Sequence, residues 1–128
     1  MTELRKKPQL GIPEMDAQHD YLYRLFDRLT EPLSHDRMEA LMDEIAAYLD
    51  FHITSEEHLI RLYKCPGLSV HQSDHQQAAQ TFLQYADDFE RGEFNPARLH
   101  KAMTGWLYEH TLDADMKYAD VIKEARGI

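Results

Sequence analysis

Five of the eight histidines fall where a helix would turn them toward its buried face, although histidine is only intermediate in its tendency to be buried. Two carboxylates share these positions, and the full set is His19, His52, Glu56, His71, His75, His110 and Asp115. The pairs His52/Glu56 and His71/His75 are each four residues apart, so each pair lies on one helix face about one turn apart. Imidazole and carboxylate groups placed in this way can hold a metal ion.

The number of these groups bears on how many ions they hold. Burying them without strong partners would cost several kcal/mol each at worst, more than the ~5 to 15 kcal/mol of net stability that a domain has. Coordination of metal removes that penalty. Seven protein ligands exceed the four of a tetrahedral zinc ion, so we predict two ions bridged by the carboxylates. A thiolate-free set suits iron, and ligand type alone leaves zinc, copper and nickel open.

Helices must bring these residues together, and apolar positions recur with helical spacing along the chain. The expected elements run from about Asp16 to Pro32 and Ser34, from an N-cap at Asp36 to Tyr63, from about Ser69 to Gly92, from an N-cap at Asn95 past His110, and through a short amphipathic tail. Short connections favour antiparallel neighbours. We therefore predict an all-α, up-down-up-down antiparallel four-helix bundle, a single domain over 1–128 with an extended N-terminal arm over 1–15 and a short C-terminal helix.

The last ligand pair makes a demand on the helix that carries it. His110 and Asp115 are five residues apart, which leaves them roughly 140° apart on an ideal helix, against about 40° for a spacing of four. Both can face one metal pair only if the helix breaks or contains a π-type turn between them.

Composition excludes several classes of function. The chain has 14 Lys and Arg against 23 Asp and Glu, a net charge of −9, which disfavours nucleic acid as a partner. Its apolar runs are far shorter than the ~20 residues that cross a bilayer, so we expect no membrane insertion. The N-terminus lacks the apolar run of a secretory signal. The lone Cys65 fits a reducing compartment, and we expect a cytoplasmic protein.

The ligand order resembles the haemerythrin family, in particular its prokaryotic single-domain members. The surrounding residues agree, with Asp16-Ala-Gln-His19 entering the first helix, His52-Ile-Thr-Ser-Glu56 on the second, and Trp106-Leu107-Tyr-Glu-His110 leading to Asp115. The resemblance covers about residues 11 to 122.

This resemblance implies two non-haem iron ions with an oxo or hydroxo bridge, and reversible binding of dioxygen. By analogy His71, His75 and His110 hold one iron, His19 and His52 hold the other, and Glu56 and Asp115 bridge them. Dioxygen would bind at the two-histidine iron, for storage, delivery or sensing, with any delivery or signalling partner unidentified.

The family also implies a dioxygen pocket shaped by Ile53, Trp106 and Leu107. The residue after the fourth-helix histidine is commonly bulky and apolar in the family, whereas here it is Thr111. Its hydroxyl could admit water or bond the ligand in the pocket. The alternative is that it bonds the carbonyl one turn back along its own helix.

Two other functions remain open. A di-iron oxidase or peroxidase would use Glu-x-x-His motifs, which this chain lacks, and five imidazoles against two carboxylates favour reversible binding over oxidation. We therefore expect a binding protein rather than an enzyme. An oxygen- or redox-sensing interaction module is the second alternative.

The remaining candidates have ordinary interpretations. We expect His35, His58 and His100 to be solvated, and Glu57 to be solvated rather than a hydrogen-bond acceptor for a ligand, since it points about 100° away from Glu56. Trp106 and Tyr118 are expected to be core aromatics first, and Cys65 a structural thiol.

Overall fold

The structure is a computed structural model that describes residues 7–128, and every regular element in that range is helical. The helices are α1 (Pro13–Asp27), α2 (His35–Leu62), α3 (Leu68–Glu90), α4 (Pro96–His110) and α5 (Met116–Arg126). A 3-10 turn at Arg28–Thr30 follows α1, and a π-helical turn at Thr111–Asp115 joins α4 to α5. Each of α1 to α3 packs on the helix that follows it and α1 also packs on α4, while α5 continues from the π-helical turn, which confirms the four-helix bundle with its short C-terminal helix. Within residues 7–128 no helix combines the length and apolar character needed to cross a membrane.

The arm is shorter than predicted because α1 begins at Pro13 rather than near Asp16. Proline is favoured at the first helical position, since its fixed φ suits the helix and its missing N–H would have no partner there. Asp16 lies in the first turn, where its carboxylate accepts hydrogen bonds from the backbone N–H of Leu10 (2.8 Å) and Gly11 (3.0 Å). The extended arm therefore ends at Ile12 instead of residue 15, and its first six residues lie outside the described part of the chain.

Capping residues explain where the next helices begin. Ser34, not Asp36, caps α2, because its hydroxyl accepts a hydrogen bond from the backbone N–H of Arg37. The first helix correspondingly ends at Asp27, before the 3-10 turn. The predicted cap of α4 is confirmed: the Asn95 side chain accepts from the N–H of Arg98 at 3.1 Å, and Pro96 is the first helical residue.

Two apolar clusters fill the bundle. One, the distal core, includes Leu22 and Phe26 of α1, Leu41 and Ile45 of α2, Phe82 of α3, and Leu99, Met103 and Leu107 of α4. The other, the arm-side core, includes Leu10, Ile12, Met15, Leu59, Ile60, Tyr118 and Ile122.

The predicted ligands lie between these clusters along each helix. On α2 the distal core ends at Leu49, His52 and Glu56 follow, and the arm-side core resumes at Leu59. On α1 His19 stands between Met15 and Leu22 in the same way. The bundle thus contains a buried polar layer between two apolar ones.

Candidate metal centre

The seven predicted ligands converge in the polar layer, and each of them is at most 3% exposed. Helix α1 contributes His19, α2 contributes His52 and Glu56, α3 contributes His71 and His75, and α4 contributes His110, while Asp115 ends the π-helical turn. The Nε2 atom of every one of the five histidines lies within 4.0 Å of a carboxylate oxygen of Glu56 or Asp115. All five imidazoles therefore point the same ring nitrogen at the two carboxylates.

The π-helical turn makes this convergence possible at the end of α4. Its wider turn brings residues five apart onto one side of the helix. His110 Nε2 consequently lies 2.9 Å from Asp115 Oδ1. The structure confirms the expected departure from regular α-helix between these two residues.

Glu56 divides the histidines into a group of three and a group of two. Its Oε1 atom faces three Nε2 atoms, those of His75 at 2.8 Å, His110 at 3.3 Å and His71 at 3.9 Å. Its Oε2 atom faces two, those of His52 at 3.5 Å and His19 at 3.6 Å. The two oxygens of the Glu56 carboxylate thus face different groups of histidines.

Asp115 divides the histidines in the same way. Its Oδ1 atom lies 2.9 Å from Nε2 of both His71 and His110, and its Oδ2 atom lies 3.4 Å from Nε2 of His19. In each carboxylate, one oxygen faces the group of three histidines and the other oxygen faces the group of two, which is the arrangement required to bridge two ions. We call the groups the three-histidine half (His71, His75, His110) and the two-histidine half (His19, His52).

Four buried atoms of the predicted ligands lack a hydrogen bond among residues 7–128. They are Nδ1 and Nε2 of His19, Nε2 of His52, and Oδ2 of Asp115. An unpaired buried polar group destabilises a fold by ~1 to 3 kcal/mol. Separations of 3.4 to 3.6 Å between these nitrogens and the carboxylates are too long for good hydrogen bonds. They leave room for a cation that each ligand would approach to about 2 Å. The residues therefore fit a metal pair, and their nitrogen and oxygen donors fit iron.

Protons balance the buried charges when no metal is bound. Burial acts to raise the pKa of Glu56, but hydrogen bonds from His110 and His75 hold it well below its usual range. Burial acts to lower the pKa of His110, but its hydrogen bonds to Asp115 and Glu56 outweigh this and raise it to about 11. Burial lowers the pKa of His52 to about 4, so its imidazole is neutral near pH 7. Binding of metal must displace the protons that pair with the carboxylates.

The Nδ1 atoms of three predicted ligands, on the ring side away from the two carboxylates, have hydrogen-bond partners of their own, and Glu57 is one of these partners. The expectation for Glu57 is wrong, because its carboxylate lies 2.9 Å from Nδ1 of His75. The 100° step from Glu56 turns this side chain toward α3, which covers it, rather than toward solvent.

Gln18 and Asp74 are functional candidates that the sequence pattern did not identify. Oε1 of Gln18 lies 2.8 Å from Nδ1 of His52, and the Asp74 carboxylate accepts a hydrogen bond from Nδ1 of His110. Both residues directly precede a predicted ligand, yet each bonds a histidine of another helix. A polar residue directly before a predicted ligand is thus the sequence feature that could have indicated these roles, although it does not show which histidine the residue bonds.

Tyr118 has a second role besides its place in the arm-side core. Its side chain is fully buried and its hydroxyl donates a hydrogen bond to Oε2 of Glu56 at 2.9 Å. Burial and the nearby carboxylates raise the pKa of Tyr118, so the phenol keeps its proton. This hydroxyl thus bonds the Glu56 oxygen that faces the two-histidine half.

The residues predicted to shape a dioxygen pocket lie around the layer. Leu107 is fully buried in the distal core, and Ile53 and Trp106 are partly buried against it. The Trp106 ring stacks on His110 with centroids 4.9 Å apart, so it contacts the three-histidine half. The Thr111 hydroxyl donates to the carbonyl of Leu107 at 2.7 Å, which is the second of the two interpretations offered for it.

The histidines outside the pattern behave differently from one another. His58 is exposed as predicted, and His35 is exposed with its ring stacked on Phe89. His100 is not simply solvated: it is half-buried, and its Nε2 lies 2.9 Å from Asp27 Oδ1. The expectation for His100 is wrong because α4 packs beside the end of α1, where this aspartate stands.

Comparison with known proteins gives one family. Residues 10–122 match the family described as the Hemerythrin HHE cation binding domain. Among curated relatives, "Bacteriohemerythrin" of Aquifex aeolicus is 28% identical, with 82% of this chain and 85% of the relative aligned. The proteins of that name from Stenotrophomonas maltophilia and Clostridium acetobutylicum are each 25% identical, over 89% and 88% of this chain and 76% and 94% of the relative. No solved structure gives a significant match.

Proposed function

The chain belongs to the haemerythrin family, and from this premise we propose that it binds dioxygen reversibly at a centre of two non-haem iron ions. The observation that carries the proposal is the division of five imidazoles into three and two by the oxygens of Glu56 and Asp115. Curated relatives that align over most of this chain carry the name bacteriohemerythrin. An iron pair, when bound, supplies the reversible exchange of two electrons with dioxygen.

The ligand assignment is part of the proposal. His71, His75 and His110 would hold one iron and His19 and His52 the other, with Glu56 and Asp115 bridging through separate oxygens. The half with fewer histidines would leave its iron with a position open to dioxygen. Nε2 of His19, Nε2 of His52 and Oδ2 of Asp115 lack a hydrogen bond within residues 7–128, which supports their assignment to an ion in that half.

The surrounding residues keep water from the centre. The layer lies between the distal core, which contains Leu107, and the arm-side core, which contains Ala119, and both of these side chains are fully buried. We propose that Ile53, Trp106, Leu107 and Thr111 line the space for dioxygen. Because the Thr111 hydroxyl is bonded within its own helix, its methyl group is the part left to exclude water.

We propose binding without turnover of an organic substrate. Five imidazoles and two carboxylates make a less anionic centre than a carboxylate-rich one, and lower anionic charge favours the ferrous state. A single domain over residues 1–128 and a cytoplasmic location are part of the same proposal. The family match over residues 10–122 supports the single domain, and the lone, buried Cys65 supports a reducing compartment. The net charge of −9 supports the expectation that nucleic acid is not a partner.

The test is spectroscopic. A ferrous sample prepared without oxygen is exposed to air and then deoxygenated, while its visible spectrum is followed. We expect a coloured form that bleaches when dioxygen is removed and returns over several cycles. Immediate conversion to a ferric product, or steady consumption of dioxygen with an added reductant, would replace this function with that of a di-iron oxidase.

A further inference from the structure

The two halves of the centre differ in what holds their histidines from outside. In the three-histidine half, Nδ1 of His75 bonds the Glu57 carboxylate at 2.9 Å, and Nδ1 of His110 bonds the Asp74 carboxylate. Two of the three imidazoles there thus have an anionic partner.

The two-histidine half has no such partner in the described chain. Nδ1 of His52 bonds the neutral amide oxygen of Gln18 at 2.8 Å. The amide is itself oriented by Ser55, whose Oγ lies 3.2 Å from Nε2 of Gln18. Nδ1 of His19 is buried without a hydrogen bond among residues 7–128.

The charge of the outer partner changes the strength of the ligand. An imidazole that binds a metal through Nε2 carries its proton on Nδ1 and donates it to the outer acceptor. A carboxylate forms a stronger, charge-assisted hydrogen bond than an amide does. It draws the Nδ1 proton outward and leaves more electron density on Nε2, which strengthens the bond to a cation and favours the higher oxidation state.

We propose that Glu57 and Asp74 are positioning residues that make the three-histidine half retain its iron longer and favour its ferric state. The two-histidine half, with Gln18 as its outer partner, then releases its iron first. This inference rests on the proposed function only in requiring that two ions are bound.

Amide substitutions test the charge with little change of shape. Glu57 and Asp74 have side chains that are 15% and 33% exposed, so Glu57→Gln and Asp74→Asn open no buried cavity. Gln18→Glu makes the reverse change, placing a carboxylate where the amide now stands. The three variants therefore remove or add one anionic acceptor each.

The measurement is the release of iron from the ferrous, oxygen-free protein to an excess of a ferrous chelator. Unmodified protein should release its two irons in a fast and a slow phase. Glu57→Gln and Asp74→Asn should speed the slow phase by up to about 10-fold, the lower end of the cost in metal affinity when such an outer partner is mutated, because the amide still accepts the hydrogen bond; the fast phase should stay unchanged. Gln18→Glu should slow the fast phase. The midpoint potential should rise in the first two variants and fall in the third.

Matched controls separate this effect from a loss of surface charge. Glu39→Gln on α2 and Asp87→Asn on α3 make the same substitutions at exposed positions on the same helices. Both should leave the two phases and the potential unchanged. Restoring a carboxylate with Asp74→Glu should recover part of the slow phase.

The inference is overturned if Glu57→Gln and Asp74→Asn leave the slow phase unchanged, if they speed both phases equally, or if the controls have the same effect. Should Asp74→Asn fail to fold, as judged by helical circular dichroism, Glu57→Gln and Gln18→Glu decide the matter. Unmodified protein that binds fewer than two irons would instead contradict the proposed function. Two irons and reversible oxygenation with unaltered release in the variants would overturn this inference alone.

Discussion

The distal core and the polar layer are built on the same four helices, one turn apart, yet they are stabilised in opposite ways. In the distal core, Phe26, Ile45 and Leu99 are fully buried among apolar neighbours. Each such side chain stabilises the fold by ~1.5 to 3 kcal/mol whether or not a ligand is present. In the polar layer, Nε2 of His19, Nε2 of His52 and Oδ2 of Asp115 have no hydrogen bond within residues 7–128. The distal core is complete by itself, whereas the layer contains polar atoms that a bound ion would satisfy.

This contrast shows how a small bundle can hold a reactive centre. The apolar clusters on either side fix the helices, and the helices hold His19 and His52 at 3.4 to 3.6 Å from the carboxylate oxygens, which is too long for a good hydrogen bond and fits a bound cation. The energy of metal binding should accordingly appear as stability of the layer and leave the distal core unaffected.

Removal of a ligand should have the largest effect. His75→Ala or Asp115→Ala should reduce the iron content below two per chain and lower the melting temperature of the iron-loaded protein. An ion present at 1,000 times its dissociation constant stabilises the folded state by about 4 kcal/mol, and this contribution is lost with the ion. Iron analysis with thermal melting checks both effects. Unchanged iron stoichiometry in both variants would contradict the ligand assignment.

A distal-core substitution should separate stability from metal. Leu99→Ala removes a fully buried side chain and should destabilise the protein by about 2 to 5 kcal/mol. Because the distal core does not touch the ions, the loss should be equal in metal-free and iron-loaded protein, with iron content unchanged. Chemical denaturation of both forms measures it. A loss confined to the loaded form would show that the two regions are not independent.

The hydroxyl of Tyr118 links the layer to the arm-side core. Tyr118→Phe removes its hydrogen bond to Glu56 and should destabilise the protein by about 1.5 to 3 kcal/mol, the range for a bond to a charged group. Both irons should remain, since no ligand is lost. Denaturation and iron analysis together test this expectation, and Tyr85→Phe on the partly buried side of α3 is a matched control. A loss of iron would mean that the hydroxyl positions Glu56 for binding.

A surface ion pair should have the smallest effect. A hydrogen bond from Arg126 lowers the pKa of Glu14 from 4.5 to about 2, so the folded state favours the carboxylate. The stabilisation is complete above pH 4.5 and is lost as the pH falls toward 2. It should amount to less than about 1 kcal/mol, because 45% of the Glu14 side chain is exposed.

The free energy of unfolding of Glu14→Gln should therefore be close to that of the unmodified protein at pH 2 and lower than it at pH 5. Denaturation of the metal-free protein at both pH values checks this, since loss of iron in acid would mask the difference. A constant difference between the two proteins at the two pH values would contradict this origin of the stability.

Most of the fold was predictable because helix formation is local. Spacing of 3.6 residues identified the buried face of each helix, and Asn95-Pro96 marked the start of α4 correctly. The predicted start of α1 near Asp16 was three residues too late, because Asp16 lies inside the helix and bonds the backbone of the arm. An aspartate can cap a helix or bond a nearby turn, and the sequence does not show which of the two it does. The start of α2 was displaced for a similar reason, since Ser34 and Asp36 are both good caps.

The sequence by itself determined which residue types face inward, since that follows from position along one helix, and it required a π-type turn between His110 and Asp115 because no regular helix brings both to one side. Only the tertiary structure decided which oxygen of Glu56 faces which histidines, and that Glu57, Asp74 and Gln18 hold His75, His110 and His52. These contacts join different helices, so they depend on the rotation of each helix about its axis and on its shift along its neighbours. Packing of the two apolar cores sets both quantities, and neither is encoded in the spacing within any one helix.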